Sequence, residues 1–312
     1  MKRICVIGSI NMDLTTTIDR FPNPGETITG TSFGTYPGGK GANQAVSAGR
    51  LGGDVTMFGK IGDDLYGKEY LKVFDSNCVK FIGVGVECGV SSGIAVIEVD
   101  GLGENHIIVI PGANNLLDMD FIDKQFDFLS ECDIFLFQLE IPLETVLYVM
   151  KRLKDLNKII ILDPAPAKAL PEEIYNCIDF ITPNETEIEI LTGVKVKNDN
   201  DLNRAANLLL NKGVKTVIAK AGKRGAYIID KTGIKHILGF KVKAVDTTAA
   251  GDSFNGGFAF SLSKGSDVEK SVRFANAVAA LSTTALGAQS AMSNFEQVKE
   301  FIKNNINIVK GE

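Results

Sequence analysis

Histidine and cysteine are scarce in this chain of 312 residues, with two and five copies respectively. No two cysteines stand at the C-x-x-C spacing of a zinc or redox site, so they are expected to be buried thiols of a reducing compartment. His106 and His236 neighbour no serine or cysteine motif. A Ser-His or Cys-His hydrolase is therefore disfavoured, and any general base is expected to be a carboxylate.

Clusters of basic charge and long apolar runs are also missing. The net charge is -5 and the basic residues are scattered, which disfavours nucleic acid or an anionic membrane surface as a partner. No stretch approaches the ~18 apolar residues of a membrane span, and the apolar run at the start of the chain ends at Ser9, too early for a signal peptide. Small-molecule ligands and a cytoplasmic location are expected.

Short apolar runs do recur, and they predict a parallel sheet. They are continuous rather than alternating, as in strands that are buried on both faces. The runs span 3–8, 55–62, 133–138, 158–163, 180–182 and 215–222. Segments with helical periodicity lie between them, for example 143–157 and 201–213. This alternation predicts one α/β domain over 1–312, with a doubly wound, mostly parallel sheet and helices on both faces.

Two segments interrupt the alternation. Residues 13–36 are rich in threonine and turn formers, and residues 92–110 form two strand patterns around an Asp100-Gly101 turn. Both patterns indicate antiparallel strands, and neither has enough apolar surface to be stable alone. We expect one small antiparallel sheet that projects from the domain as a lid or an interface.

The glycine-rich stretch GTYPGGK (34–40) satisfies G-x-x-x-x-G-K without being a P-loop. Gly41 stands where a P-loop needs Ser or Thr, and no buried strand runs straight into the motif. The glycines are expected to let the backbone approach a small ligand, with Lys40 or Asn43 within its reach. The first strand is followed by no dinucleotide fingerprint, which disfavours a Rossmann dehydrogenase.

Several polar residues follow predicted strands, where open α/β sheets bind ligands. Asn11 and Asp13 follow the first strand, although a polar turn explains them equally well. A carboxylate at a strand end must be hydrated, paired or used, and here we favour Glu140 as a ligand contact. Asp163, beside two prolines, is expected to brace a rigid turn instead.

The stretch TPNETE (182–187) predicts a helix start. Asn184 and Glu187 have the spacing of a capping box, with Asn184 as the cap. An amide and a carboxylate on one helical turn also suit Mg²⁺ held through its waters. The two interpretations are compatible.

The stretch DTTAAGD (246–252) is expected to join a β-rich segment to a helix. Small side chains at 249–251 leave backbone N–H groups uncovered at the helix N-terminus, which makes a cradle for an anion. Asp252 would then accept the proton of a hydroxyl that attacks a phosphate, although the helix dipole is expected to lower its pKa. The alternative is an acid that only complements the dipole, worth about 0.3–1 kcal/mol.

With PGGKGANQA (37–45) early, VDTTAAGDSFNGG (245–257) late, and QLE, DPAPA and TPNETE between them, the sequence resembles the PfkB (ribokinase-like) family of carbohydrate kinases over essentially its whole length. The resemblance implies a Rossmann-type three-layer fold and ATP-dependent phosphorylation of the ribose 5-hydroxyl. Alternatives are a kinase for deoxyribose, fructose or adenosine, or a non-catalytic sugar-binding protein. Relatives also use the lid as a homodimer interface.

The resemblance further implies roles for individual residues. Ribose would be contacted by Asn11, Asp13, Gly39, Lys40, Asn43, Glu140 and Asp252. ATP would be contacted by Asn184, Lys220, Gly222, Gly225, Gly251 and Asn276. Asp252 would be the base, the N–H groups of Ala249, Ala250 and Gly251 the anion hole, and Glu187 would act on Mg²⁺ through water.

A monovalent cation site, for K⁺, is implied as well. Asp246 and Thr248 match one side of it, and Ser282, Ala285 and Gly287 match the other. The chain departs from the family at two places. Ser290-Ala291 replaces the usual Pro-Ser, so a hydroxyl oxygen of the site is either missing or replaced by Ser290 or water, and dependence on K⁺ is less secure than catalysis. Asn276 stands where some relatives carry His, next to the adenine.

Overall fold

The computed structural model describes residues 1–309, which form a nine-stranded sheet flanked by helices and a separate four-stranded sheet. The strands are β1 (Ile4–Ile7), β2 (Asn11–Thr17), β3 (Ser32–Gly38), β4 (Val55–Gly62), β5 (Val79–Glu87), β6 (Gly93–Val99), β7 (Asn105–Ile110), β8 (Ile134–Phe137), β9 (Ile159–Leu162), β10 (Phe180–Ile181), β11 (Thr216–Lys220), β12 (Gly225–Asp230) and β13 (Gly233–Leu238). The helices are α1 (Lys40–Arg50), α2 (Leu65–Ser76), α3 (Met119–Lys124), α4 (Phe126–Ser130), α5 (Leu143–Asp155), α6 (Glu172–Tyr175), α7 (Glu185–Thr192), α8 (Asp199–Asn211), α9 (Ala250–Ser263), α10 (Val268–Ser282) and α11 (Phe295–Val309).

The main sheet has the order β13-β12-β11-β10-β9-β8-β1-β4-β5. Neighbours from β11 to β5 pair in parallel, whereas β12 pairs antiparallel with both β11 and β13. This arrangement confirms the mostly parallel sheet that the sequence predicts. Within residues 1–309, no helix is long and apolar enough to span a membrane.

The main sheet is buried on both faces. In β1, Cys5 and Ile7 join one hydrophobic cluster while Ile4 and Val6 join the other, and all four are fully buried. The first cluster is completed by helices such as α5 and α8, and the second by α1, α9 and α10. Continuous apolar runs are therefore required in these strands, because both faces of each strand lie in a core.

The cysteines are less uniform than expected. Cys5, Cys132 and Cys177 are buried, but Cys78 and Cys88 are exposed. The two exposed thiols lie in turns that flank β5, outside the regular elements that form the core. All five are free thiols, so the expectation of buried thiols is wrong for these two only.

The small sheet has the order β3-β2-β6-β7. Its outer pairs are antiparallel as expected, but β2 and β6 pair in parallel. The reason is the route of the chain. β1 and β5 run in the same direction in the main sheet, and each leads through a short connection into β2 or β6 at the same edge. The two lid strands therefore start together and run side by side.

The segment before α9 lacks the strand that its composition predicts. β13 ends at Leu238, and the chain then runs irregularly to α9 over residues 239–249. Leu238 pairs with Gly225, which is the first residue of β12. Beyond Leu238, β12 therefore has no N–H or C=O groups with which a longer β13 could pair. DTTAAGD is consequently the end of a long connection rather than a direct strand-to-helix turn.

Candidate active site

A cavity of about 760 Å³ opens at the carboxyl edge of the main sheet. Asp163 follows β9, Asn184 follows β10 and Lys220 ends β11, so three neighbouring strands direct polar side chains into it. Ligands of open α/β sheets bind at this edge. The lining includes, from the predicted site, Lys40, Asn184, Glu187, Lys220, Gly222, Gly225, Ala249, Ala250, Gly251, Asp252 and Asn276.

The N-terminus of α9 faces this cavity without a side-chain cap. Ala249 precedes the helix with a φ of 55°, a left-handed conformation that costs a residue with a Cβ about 1–2 kcal/mol. Within residues 1–309, the N–H groups of Ala249, Gly251 and Asp252 have no hydrogen-bond acceptor, whereas that of Ala250 lies 3.2 Å from the Thr247 carbonyl oxygen. Ala249 and Gly251 thus offer the free amides of the predicted cradle, and Asp252 adds one that the sequence did not suggest.

Asp252 is buried in the first turn of α9. Its Oδ2 accepts a hydrogen bond from Asn43 Nδ2 at 3.0 Å, and its Oδ1 accepts one from Gln44 Nε2 at 3.1 Å. Burial raises the pKa of Asp252 to about 6, although the Lys40 ammonium opposes the shift. The pKa therefore moves against the direction expected from the helix dipole, because desolvation penalises the ionised form more strongly.

A group that the family resemblance assigns to the sugar lies next to Asp252, and we call it the sugar-side cluster. It comprises Asn11, Asp13, Lys40, Asn43 and Glu140. Asn11 and Asp13 belong to β2 rather than to a turn. Burial raises the pKa of Asp13 to about 7, and the carboxylates of Glu140 and Asp252 add to the shift. Burial alone would lower the pKa of Lys40, but the surrounding carboxylates, led by Asp252 and Glu140, raise it.

The glycines before α1 serve close packing. Gly39, with a φ of 85°, is the residue before α1, and a Cβ there would lie 2.6 Å from the Asn11 amide nitrogen. A Cβ on Gly41 would lie 2.7 Å from the Gly8 carbonyl carbon. Gly41 thus allows α1 to touch the β1–β2 connection, and the approach of a ligand to this stretch stays a prediction. Glu140 then accepts hydrogen bonds from the Ser9 hydroxyl and the Lys40 amide.

Asp163 does not brace its own turn, contrary to expectation. Its Oδ1 accepts a hydrogen bond from Lys220 Nζ at 2.8 Å, and its Oδ2 accepts one from Gln44 Nε2 at 2.9 Å. The turn is closed by backbone groups, since the Ala165 amide donates to the Asp163 carbonyl oxygen. A buried lysine at the end of one strand requires an acid nearby, and Asp163 ends a strand of the same sheet edge. This requirement for a nearby acid could have predicted the pairing of Asp163 with Lys220 from the sequence.

The predicted capping box of α7 is confirmed. Asn184 Oδ1 accepts from the Glu187 amide at 2.8 Å, and Glu187 Oε2 accepts from the Asn184 amide at 2.7 Å. Both residues also line the cavity. Burial raises the pKa of Glu187 against the opposing charge of Lys220. No group of three or more His, Cys, Asp or Glu side chains suited to a metal is found in residues 1–309.

The two segments expected to hold the monovalent cation are adjacent. Asp246 accepts hydrogen bonds from the amide and hydroxyl of Thr248 and, at 2.8 Å, from the Gly287 amide. Burial would raise the pKa of Asp246, but these hydrogen bonds lower it. The Ser282 hydroxyl donates to the Ala279 carbonyl oxygen within α10, and its part in a cation site stays a prediction. The Ser290 hydroxyl donates to the Leu286 carbonyl. No side-chain contact distinguishes Ala285.

Asn276 and two glycines shape the far end of the cavity. Asn276 Nδ2 donates to the carbonyl oxygens of Ile237 at 3.1 Å and Leu238 at 3.3 Å, so its amide donor already holds the end of β13. Gly222 and Gly225 have φ values of 54° and 98°. A Cβ on Gly225 would lie 2.2 Å from the Ile237 carbonyl oxygen, so this glycine is required by the β12–β13 hairpin itself.

Comparisons with known proteins agree with this geometry. Residues 1–294 match the family described as pfkB family carbohydrate kinase. The chain is 41% identical to the ribokinase of Bacillus subtilis (strain 168) over 302 residues, which is 97% of this chain and 100% of the relative. It is 38% identical to the deoxyribokinase of Salmonella typhi over 303 residues, covering 97% and 99%. The structure of Arabidopsis thaliana ribokinase complexed with ribose and ATP matches with a TM-score of 0.91 at 31% identity, covering 97% and 99%.

Proposed function

The chain belongs to the pfkB family of carbohydrate kinases, and from that premise we propose that it transfers the γ-phosphoryl group of ATP to the 5-hydroxyl of D-ribose. The products are D-ribose 5-phosphate and ADP. One observation carries the proposal: the buried carboxylate of Asp252 lines the cavity at the uncapped start of α9 and is hydrogen-bonded to Asn43 of the sugar-side cluster. The identity of the sugar is supported by the similarity to ribokinases.

Asp252 is the proposed general base. Its carboxylate accepts the proton of the attacking hydroxyl while the new oxygen–phosphorus bond forms and the bond to ADP breaks. A pKa of about 6 keeps Asp252 ionised at neutral pH and makes it more basic than an ordinary aspartate. The free N–H groups of α9 are placed to stabilise charge on the phosphoryl group. Lys220 supports them, since its Nζ lies 3.4 Å from where a Cβ on Gly251 would stand.

Mg²⁺ is proposed to bind with ATP on the Glu187 side of the cavity. In kinases this ion keeps several waters and is held by one or two carboxylates together with substrate phosphates. The carboxylate of Glu187 in the cavity lining fits such a donor set. When bound, the ion would neutralise negative charge on the phosphates. K⁺ is proposed to lie between the segment of Asp246 and the segment of Gly287, which are joined by a hydrogen bond. We also propose a cytoplasmic location.

Ribose is expected to be the preferred acceptor in a coupled assay of ADP release. The assay compares kcat/KM for ribose, deoxyribose, fructose and adenosine, each with and without K⁺. We expect the highest kcat/KM for ribose, because the sugar-side cluster presents charged and amide groups suited to a small polyhydroxylated ligand. We also expect K⁺ to raise the rate. Preference for another acceptor would contradict the substrate, and ribose binding without ADP release from any sugar would favour a non-catalytic protein.

Deoxyribose is the second candidate substrate. The chain is nearly as similar to a deoxyribokinase as to ribokinases, so identity over the whole chain does not separate the two. Direct competition between the two pentoses in the same assay separates them. A kcat/KM for deoxyribose above that for ribose would establish this alternative.

The lid is proposed to form a homodimer interface. Every residue of β7 is exposed, including Ile107 at 53% and Ile108 at 63%, and Phe33 of β3 is 66% exposed. Contiguous exposed apolar residues mark interaction surfaces. Ile108→Glu is expected to shift the protein from dimer to monomer in analytical ultracentrifugation, because a carboxylate would be buried in the interface. Leu208→Glu, at an exposed position of α8, should leave the dimer intact. A wild-type monomer would contradict the proposal.

A further inference from the structure

One buried amide joins two of the acidic groups beside the cavity. Gln44, in α1, is fully buried, and its Nε2 donates to both Asp163 Oδ2 at 2.9 Å and Asp252 Oδ1 at 3.1 Å. An amide nitrogen has two hydrogens, so both are used here. Gln44 does not belong to the cavity lining. It therefore contacts the two carboxylates from outside this cavity.

The orientation of this amide is set by the two carboxylates, and a second glutamine matches it. Gln138, also fully buried, donates from Nε2 to Gln44 Oε1 at 2.7 Å. A reversed Gln44 amide would point its oxygen at two carboxylates and its NH₂ group at the NH₂ group of Gln138. All three hydrogen bonds would be lost, and such losses are costly where water does not enter.

We propose that Gln44 is a positioning residue, which holds the base Asp252 and the lysine-bound carboxylate of Asp163 in one fixed arrangement, with Gln138 supporting its amide through one further hydrogen bond. The inference rests on the proposed function, in which Asp252 is the base. Asn43 and Gln44 each hold one oxygen of Asp252, so the carboxylate has no free rotation. Gln44 is thereby assigned to the proton-accepting step and not to binding of sugar or ATP.

The hydrogen bond from Gln44 also favours the ionised base, against burial. The other charged or titratable groups that act on Asp252 come from each neighbouring element. They are Lys40 of α1, Asp13 of β2, Tyr70 of α2, Asp163 after β9 and Lys220 of β11. Replacing Gln44 by an apolar side chain leaves this set in place, so the change in the titration of Asp252 reports the lost amide.

The test compares Gln44→Met with the wild-type enzyme over pH 5–9. Met has a similar length and no amide. We expect kcat to fall about 10- to 100-fold, as for loss of a hydrogen bond to a charged group. The acid limb of the kcat profile should move to higher pH, while KM for ribose and ATP stays within about twofold. Gln138→Met should give a smaller shift in the same direction, and it provides the test if Gln44→Met does not fold.

Ser47→Ala is the matched control. Ser47 is a buried residue of the same helix, and its hydroxyl donates to the Ser253 carbonyl of α9 rather than to a carboxylate. This variant should keep the wild-type pH profile. An unshifted acid limb in both glutamine variants, a raised KM with unchanged kcat, or the same shift in Ser47→Ala would overturn the inference. The reference is wild-type turnover with whichever sugar is preferred, so a different substrate would contradict the proposed function alone.

Discussion

Asp252→Asn should lower kcat by about 10²–10⁴-fold, the range typical of a lost general base, while KM for ribose and ATP changes little. The substitution preserves the volume of a side chain that is only 6% exposed, so the cavity should keep its shape. It removes the proton acceptor but leaves the free amides of α9 in place. In wild-type enzyme, kcat/KM should fall as the pH drops through about 6, because Asp252 becomes protonated there.

The same variant has an expected effect on stability. The folded-state pKa of Asp252, about 6, lies above its ordinary value of 3.8, so the folded protein binds more protons than the unfolded chain between these two values. Stability therefore decreases as the pH rises through this window, and the deficit persists above it. An asparagine cannot ionise. The asparagine also loses one acceptor for the Asn43 or Gln44 amide, a loss that does not depend on pH. We therefore expect the melting temperature of Asp252→Asn relative to wild type to be highest at pH 8 and to decrease toward pH 4.

Asp179→Asn is the control for both effects. Asp179 is also a buried acid, but its Oδ2 accepts from the Ile160 amide and it does not line the cavity. This variant should lose thermal stability and keep kcat. Near-normal turnover in Asp252→Asn, or an equal loss of kcat in Asp179→Asn, would remove Asp252 from the role of base.

The sequence predicts those strands whose burial is visible in their own consecutive residues. β1, β8 and β9 coincide with continuous apolar runs, because a strand that lies between two cores requires an apolar residue at every position. Whether two strands pair parallel or antiparallel is not visible in their own residues. The parallel pairing of β2 with β6 follows from where β1 and β5 end, which no property of residues 11–17 or 93–99 reveals.

The sequence also locates the parts of the candidate site that lie within one motif. The sequence predicts residues 39–43 as one set and residues 249–252 as another, because each set lies at the start of one helix. The pairs that join distant segments were missed. Asp163 meets Lys220 across 57 positions of sequence and Gln44 across 119. Their partnership depends on the strand order of the sheet, so spacing alone could not show it.

Lys220→Met should have the second large effect, on stability and activity together. Lys220 is 13% exposed and Asp163 is 4% exposed, so the substitution leaves a buried carboxylate without its ion-pair partner. Breaking a buried pair in this way lowers the free energy of unfolding by about 3–5 kcal/mol. The ammonium group beside Gly251 is lost as well, and we expect kcat/KM for ATP to fall by about 10²–10³, as when a donor to a reacting phosphate or oxyanion is removed.

The double variant Lys220→Met/Asp163→Asn distinguishes these two effects, measured by urea unfolding and by initial rates. Removing the unpaired buried charge should recover most of the stability. Activity should stay low, because the Lys220 ammonium no longer faces the phosphate. Lys235→Met breaks an exposed pair with Glu269 and should cost at most about 1 kcal/mol. A wild-type free energy of unfolding in Lys220→Met would show that the ion pair with Asp163 makes no net contribution to stability. Recovered turnover in the double variant would show that Lys220 serves Asp163 alone, and the free amides of α9 would then be the main source of positive charge for the transferred phosphoryl group.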